Sequence, residues 1–134
     1  MKNLFYLSTF ICLLLTGCSS SSTPTSNEIT SVSVSEFQQF GKINQAPFMT
    51  LNNPDEIAVF GEAIETATKM DGIVNVVKAD FDIELLRDNE EDFSFHLWLD
   101  DEAKTGSIMY TGDTHTLYSL TEDSTQKLQE QLFQ

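Results

Sequence analysis

Cysteine is nearly absent from this chain of 134 residues: it occurs only at Cys12 and Cys18, close to the N-terminus. A body beginning after them has no thiol, which excludes an intrachain disulfide, a thiolate metal site and a cysteine nucleophile together. Such a body must be held by its own core. Basic residues are scarce as well, with 7 Lys and Arg against 21 Asp and Glu and a net charge of -14. A surface of that sign repels nucleic acid and anionic headgroups, so nucleic acid is excluded as a partner. Most acidic surfaces are simply solvated. Glycine is sparse and never clustered into a phosphate-binding loop, and no serine sits in a nucleophile-elbow context. Carboxylate pairs carry no information in a chain with so many acids. No catalytic residue, metal site or cofactor follows from the motifs, and the chain reads as a non-enzyme of one domain.

The N-terminus carries an address. Met1-Lys2-Asn3 is a short positive start, followed by a nearly continuous apolar run from Leu4 to Leu15. A run of about a dozen residues is too short for a permanent span, which needs about 20, and fits the apolar core of a signal peptide. Leu15-Thr16-Gly17-Cys18 follows directly. It resembles the lipobox of bacterial lipoproteins, in which small residues lie extended in a protease cleft and the cysteine thiol accepts diacylglycerol. The resemblance implies cleavage before Cys18 and a lipid anchor on it, which places the protein at the cell membrane on its extracytoplasmic face. Residues 1–17 are then a signal peptide. Residues 18–28, rich in Ser and Thr, are a flexible tether, and 29–134 form a single domain.

Within the body, apolar periodicity outlines the elements. Thr30, Val32 and Val34 alternate with Ser31, Ser33 and Ser35, the period of a half-buried strand. Residues 37–47 read as a loop with buried aromatics, and Phe48 to Leu51 as a short strand. Asn53-Pro54-Asp55-Glu56 is a helix start, with Asn as cap and Pro at the first helical position. Ile57, Phe60, Ile64 and Ala67 make its apolar stripe, and Asp71-Gly72 its end. Ile73 to Val77 begins a strand or leads into one. Phe81, Ile83 and Leu85 alternate with acids. After the polar turn Arg87 to Asp92, Phe93, Phe95, Leu97 and Leu99 alternate with Ser94, His96 and Trp98, completing a hairpin covered on one side. Thr105 to Thr111 and Thr114 to Leu120 read as further strands, and Thr121 caps a last helix bearing Leu128 and Leu132. The expected fold is α+β, an antiparallel sheet of about four to five strands with two helices packed on one face.

Few residues stand out as chemistry. Asp80, Asp82 and Glu84 share one strand face but lack the looped spacing of a calcium site. The two histidines, His96 and His115, could bind zinc or copper, usually with a third ligand, but a histidine–carboxylate pair on a sheet is common without function. His96 falls roughly opposite Asp82 or Glu84 if the hairpin closes as read. Trp98, the only tryptophan, lies beside His96 on the face away from the apolar stripe. It is either covered by the 37–47 loop or exposed as a contact with His96 and Tyr110 or Tyr118. His96, Trp98 and His115 are therefore the candidate partner-contact residues.

His96-Leu97-Trp98-Leu99, Gly106-Ser107-Ile108-Met109 and Asp113 to Leu120 resemble the C-terminal part of the YhfM-like lipoproteins of Gram-positive bacteria, over residues 79–133 and the lipoprotein signal. The resemblance implies an address and a domain type and supplies no catalytic residue. The expected role is a membrane-anchored, non-catalytic interaction or regulatory domain, with an envelope protein or ligand as unknown partner. The alternative is a lipoprotein that binds a small ligand or metal for a transporter. The address is directly testable: Cys18→Ser should leave the precursor uncleaved by lipoprotein signal peptidase or release it in soluble form. Membrane fractionation at the wild-type mature mass would contradict the lipobox reading.

Overall fold

The computed structural model describes residues 28–72, 75–88 and 91–134. The signal segment, Cys18 and the tether up to residue 27 lie outside the described residues, as do 73–74 and 89–90. Among the described residues, nine elements run in the order β1 (Ile29–Glu36), β2 (Met49–Leu51), α1 (Pro54–Thr66), β3 (Thr68–Lys69), β4 (Phe81–Arg87), β5 (Phe93–Trp98), β6 (Ser107–Tyr110), β7 (Tyr118–Ser119) and α2 (Glu122–Leu132). The strands form one antiparallel sheet of order β2-β1-β4-β5-β6-β7-β3. The α+β class is as expected. The strand count is seven rather than four to five; the added Thr68–Lys69 is only two residues long, below what periodicity can reveal.

The two sheet faces differ sharply. Register places Val32 and Val34 beside Leu85 and Ile83, then Phe95, Leu97 and Ile108. These residues meet Ile57, Phe60, Ala63 and Ile64 of α1 and Leu128 of α2 in one core. The opposite face carries Ser31, Ser33 and Ser35, then Asp82 and Glu84, then Ser94, His96 and Trp98. At the start of β1 the register shifts between Ile29 and Ser31. A bulge adds one residue to a strand and reverses its phase. Ile29 therefore joins the core while Thr30 is exposed and donates its hydroxyl to the Leu86 carbonyl. Strict alternation had put Thr30 on the core side.

Both helix starts follow their caps. The Asn53 side chain accepts from the Asp55 N–H, and the Thr121 hydroxyl from the Ser124 N–H. Helix α1 ends earlier than expected, at Thr66 rather than Asp71. Thr68 and Lys69 instead pair with Ser119 and Tyr118, closing the far edge of the sheet. Gly72 does take a positive φ of 105°, in the loop beyond, and residues 75–77 form no strand. The expected strand from Thr114 to Leu120 shrinks to Tyr118–Ser119 because Asp113 folds the chain back on itself. Its carboxylate accepts the His115 N–H, a local bond that competes with sheet pairing. A bond with Thr116, then that His115 amide, holds the Asp113 carboxyl below its usual range.

The helices are locked together and to the sheet by a few polar contacts. Lys127 lies 2.9 Å from Glu62 of α1 and 2.8 Å from Asp123 of its own helix, and these bonds push its ammonium up to about 12. Gly106, just before β6, must be glycine. A Cβ there would stand 2.8 Å from the Trp98 carbonyl oxygen and 3.2 Å from Leu120. Its N–H is bound by the Thr125 hydroxyl, which anchors α2 to the sheet. Phe95 is 2% exposed, so Phe95→Ala should cost about 3–5 kcal/mol in urea melts. Glu65→Ala, on the exposed side of α1, should change stability by less than about 0.5 kcal/mol. Comparable losses would mean that the core face is assigned to the wrong residues.

Candidate functional site

The serine-rich face of β1 explains why a loop can lie close over the sheet there. Small side chains at Ser31, Ser33 and Ser35 leave room for backbone, and the Ser35 hydroxyl donates to the Asn44 carbonyl at 2.9 Å. Residues 37–48 therefore fold across the face that the helices do not cover, and beneath them lies the candidate site. Asp82 and His96 are direct register partners on β4 and β5, as the hairpin phase had suggested. Both are completely buried, with His96 Nδ1 2.7 Å from Asp82 Oδ1. The second carboxylate oxygen accepts the Asn44 N–H at 2.9 Å. Burying an aspartate demands such partners.

The other imidazole nitrogen faces the loop. The Gly41 N–H points at His96 Nε2 over 3.0 Å. An N–H can only donate, so Nε2 must be the acceptor and Nδ1 must carry the proton that binds Asp82. His96 is thus neutral and in one tautomer, fixed from both sides. Gly41 reaches this position at φ +79°, a conformation side chains rarely adopt. Aromatic rings close the rest. Phe37 and Phe40 meet the imidazole edge-on at 5.1 and 5.6 Å. Phe40 also stacks on Trp98 at 6.1 Å. The Trp98 indole N–H donates to the Val77 carbonyl at 2.9 Å.

The candidate contact residues are thus dispersed in environment. His96 is interior and has no surface to offer a partner. Trp98 is half-buried beneath Phe40, the covered alternative of the two weighed above. His115 is exposed in the turn after β6. Tyr110 and Tyr118 are not neighbours of Trp98. They pack against each other and Phe93 on the helix-covered face, where burial and then Tyr118 push the Tyr110 phenol up to about 12. Glu84 is two positions from Asp82 on the same face, its carboxyl raised by burial and then by Asp92. Among the described residues, no group of three His, Cys, Asp or Glu is placed to hold a metal ion. No described helix is long and apolar enough to cross a membrane. Sequence reasoning passed over Gly41 and Asn44, whose role is carried by backbone N–H groups that any residue type possesses.

Comparison with known proteins places this geometry. A family described as "YhfM protein" matches residues 25–134. This chain belongs to the YhfM family. The match spans the whole folded body, where the sequence resemblance had reached only residues 79–133. No curated protein matches the YhfM chain. Among solved structures, a thioesterase-like protein from Clostridium sporogenes is similar in fold, with a TM-score of 0.61 at 18% identity, covering 78% of this chain and 94% of the other. At that identity the likeness is one of fold alone. This corrects the expected role. A fold shared with a thioesterase-like protein overturns the non-catalytic interaction or regulatory domain, and with it the transporter-linked carrier. The non-enzyme expectation is not borne out, since the similar fold is that of a thioesterase-like protein.

The buried pair dictates its own prediction. His96→Ala leaves Asp82 Oδ1 and the Gly41 N–H without partners inside the protein. The loss should be about 3–5 kcal/mol by denaturant melt, far more than for His115→Ala, which should stay within about 0.5 kcal/mol. Similar values for the two histidines would show that the network does not form.

Proposed function

We propose that this YhfM-family chain is a hydrolase of the thioesterase-like fold, described here with its general base covered. The observation that carries the reading is the Asp82–His96 pair, in which the carboxylate fixes the imidazole with Nδ1 protonated and the basic Nε2 turned toward the loop. This is the orientation a general base needs. With the loop lifted, Nε2 takes a proton from water as the oxygen adds to the carbonyl carbon of an ester or thioester. The imidazolium, held by Asp82, returns that proton to the departing alkoxide or thiolate. The products are a carboxylic acid and an alcohol or thiol. Asp82 is the positioning residue and touches no reacting atom.

The location belongs to the same proposal. Lipid on Cys18 would hold the body at the extracytoplasmic face of the cell membrane, a reading supported by the apolar run and the lipobox-like Leu15-Thr16-Gly17-Cys18. The cell is then one of the Gram-positive bacteria that the original resemblance implied, and the Cys18→Ser fractionation tests the address separately from the chemistry.

Hydrolysis of p-nitrophenyl acetate and of a short acyl thioester tests the activity. Phe40 caps the imidazole and Trp98, so Phe40→Ala should raise kcat/KM several-fold by uncovering the base. Adding His96→Gln to Phe40→Ala should remove the gain. The reading fails if neither wild type nor Phe40→Ala turns over either substrate above buffer, or if the double variant is as active as Phe40→Ala.

A further inference from the structure

The loop over the sheet is fastened at His96 by a bond that exists in only one protonation state. Nε2 accepts from the Gly41 N–H at 3.0 Å, while Nδ1–H is held by Asp82 at 2.7 Å. Proton uptake at Nε2 sets two donors against each other, and the Gly41 bond is lost. We propose that acid releases residues 37–42 from the sheet by protonating His96, uncovering Phe37, Phe40 and Trp98 while the remaining fold stays closed.

The surroundings of His96 determine the direction. From β4 it faces Asp82, whose negative charge favours the imidazolium once Nε2 is free. Within β5 its same-face neighbours are Ser94 and Trp98, and β6 places the uncharged Met109 opposite it. The loop brings the rings of Phe37 and Phe40 and the Gly41 backbone. Its one charged side chain is the exposed Lys42, with exposed Glu36 just before the loop. β1 contributes the uncharged Ser35. The closed arrangement has no place for a proton on Nε2 and the open one does. By linkage, falling pH therefore shifts the balance toward the open form, and the stability the Gly41 bond provides is present in alkali and lost in acid.

The extent of release is bounded by the other fastenings. Asn44 keeps its N–H on Asp82 Oδ2, its carbonyl on the Ser35 hydroxyl and its side-chain amide on the Glu36 carbonyl. None of these loses a partner when His96 gains a proton. At the near end, the Phe37 N–H reaches the Asp80 carbonyl at 3.3 Å, a long bond. The moving part is therefore the stretch from Phe37 to Lys42, pivoting at Asn44. Trp98 is the chain's only tryptophan and lies directly beneath Phe40, so its emission reports the motion. The release stands whether or not His96 activates water, because emission reads loop position and not turnover.

The experiment is tryptophan emission and acrylamide quenching of the full chain between about pH 8 and pH 5, with far-UV circular dichroism recorded in parallel. The wild type should shift to the red and become several-fold more quenchable in acid, with its dichroism unchanged. His96→Gln can still donate to Asp82 and accept from Gly41 but does not titrate, so its emission should stay flat and blue. A flat wild type, or an equal response in His96→Gln, overturns the proposal. If that variant does not fold, imidazole nitrogen shifts of the wild type decide. A protonated Nδ1 with a free Nε2 lone pair in alkali, and a double protonation that coincides with loss of Gly41 amide protection in acid, are required. A proton on Nε2 in alkali refutes it.

Discussion

An aspartate and a histidine buried together on a sheet face are the constraint around which the covering layer is arranged. Asp82 cannot be dry without partners, and each of its oxygens has one: the His96 ring and the Asn44 N–H. His96 in turn needs a donor for Nε2, and the Gly41 backbone supplies it. Removing any member strands a polar group in a low-dielectric interior, where it costs more than in water. The chain from Phe37 to Phe48 therefore has a defined path although it contains no helix or strand. Its shape is set by what the sheet beneath must satisfy.

The two sides of the sheet hold their layers by different physics. Under the helices the contacts are apolar and insensitive to pH, with Val32, Ile83, Phe95 and Phe60 in one cluster. Under the loop they are a few directional bonds wrapped in aromatic rings. The first kind of packing gives most of the stability, since it removes the larger apolar area from water. The second gives a layer that can move separately, because a small number of bonds controls it. A thioesterase-like fold with one rigid and one conditional cover is the physical basis of both proposals.

The sequence revealed the elements whose signals are local and repeated. The Asn53 and Thr121 caps, the α1 stripe and the β4–β5 hairpin all follow from composition and period, and the hairpin phase alone puts His96 opposite an acid. What stayed hidden depends on contacts between distant segments. The bulge at Thr30 is a register event against β4. The strand Thr68–Lys69 exists because Tyr118–Ser119 arrives beside it. The clamp on His96 uses the backbone of Gly41, 55 residues earlier, and a backbone amide leaves no mark in composition. The choice between a covered and an exposed Trp98 turned on that same loop.

The outer strands have one more consequence. The sheet ends on β2 at one side, with three residues, and on β3 at the other, with two. An edge offers unpaired N–H and C=O groups to any passing strand, and long flat edges template intermolecular pairing. Here each outermost strand is only two or three residues long before the chain turns into α1 or a loop. The seven-stranded sheet is thereby guarded against growing sideways into aggregates, a protection that matters most wherever many copies crowd together.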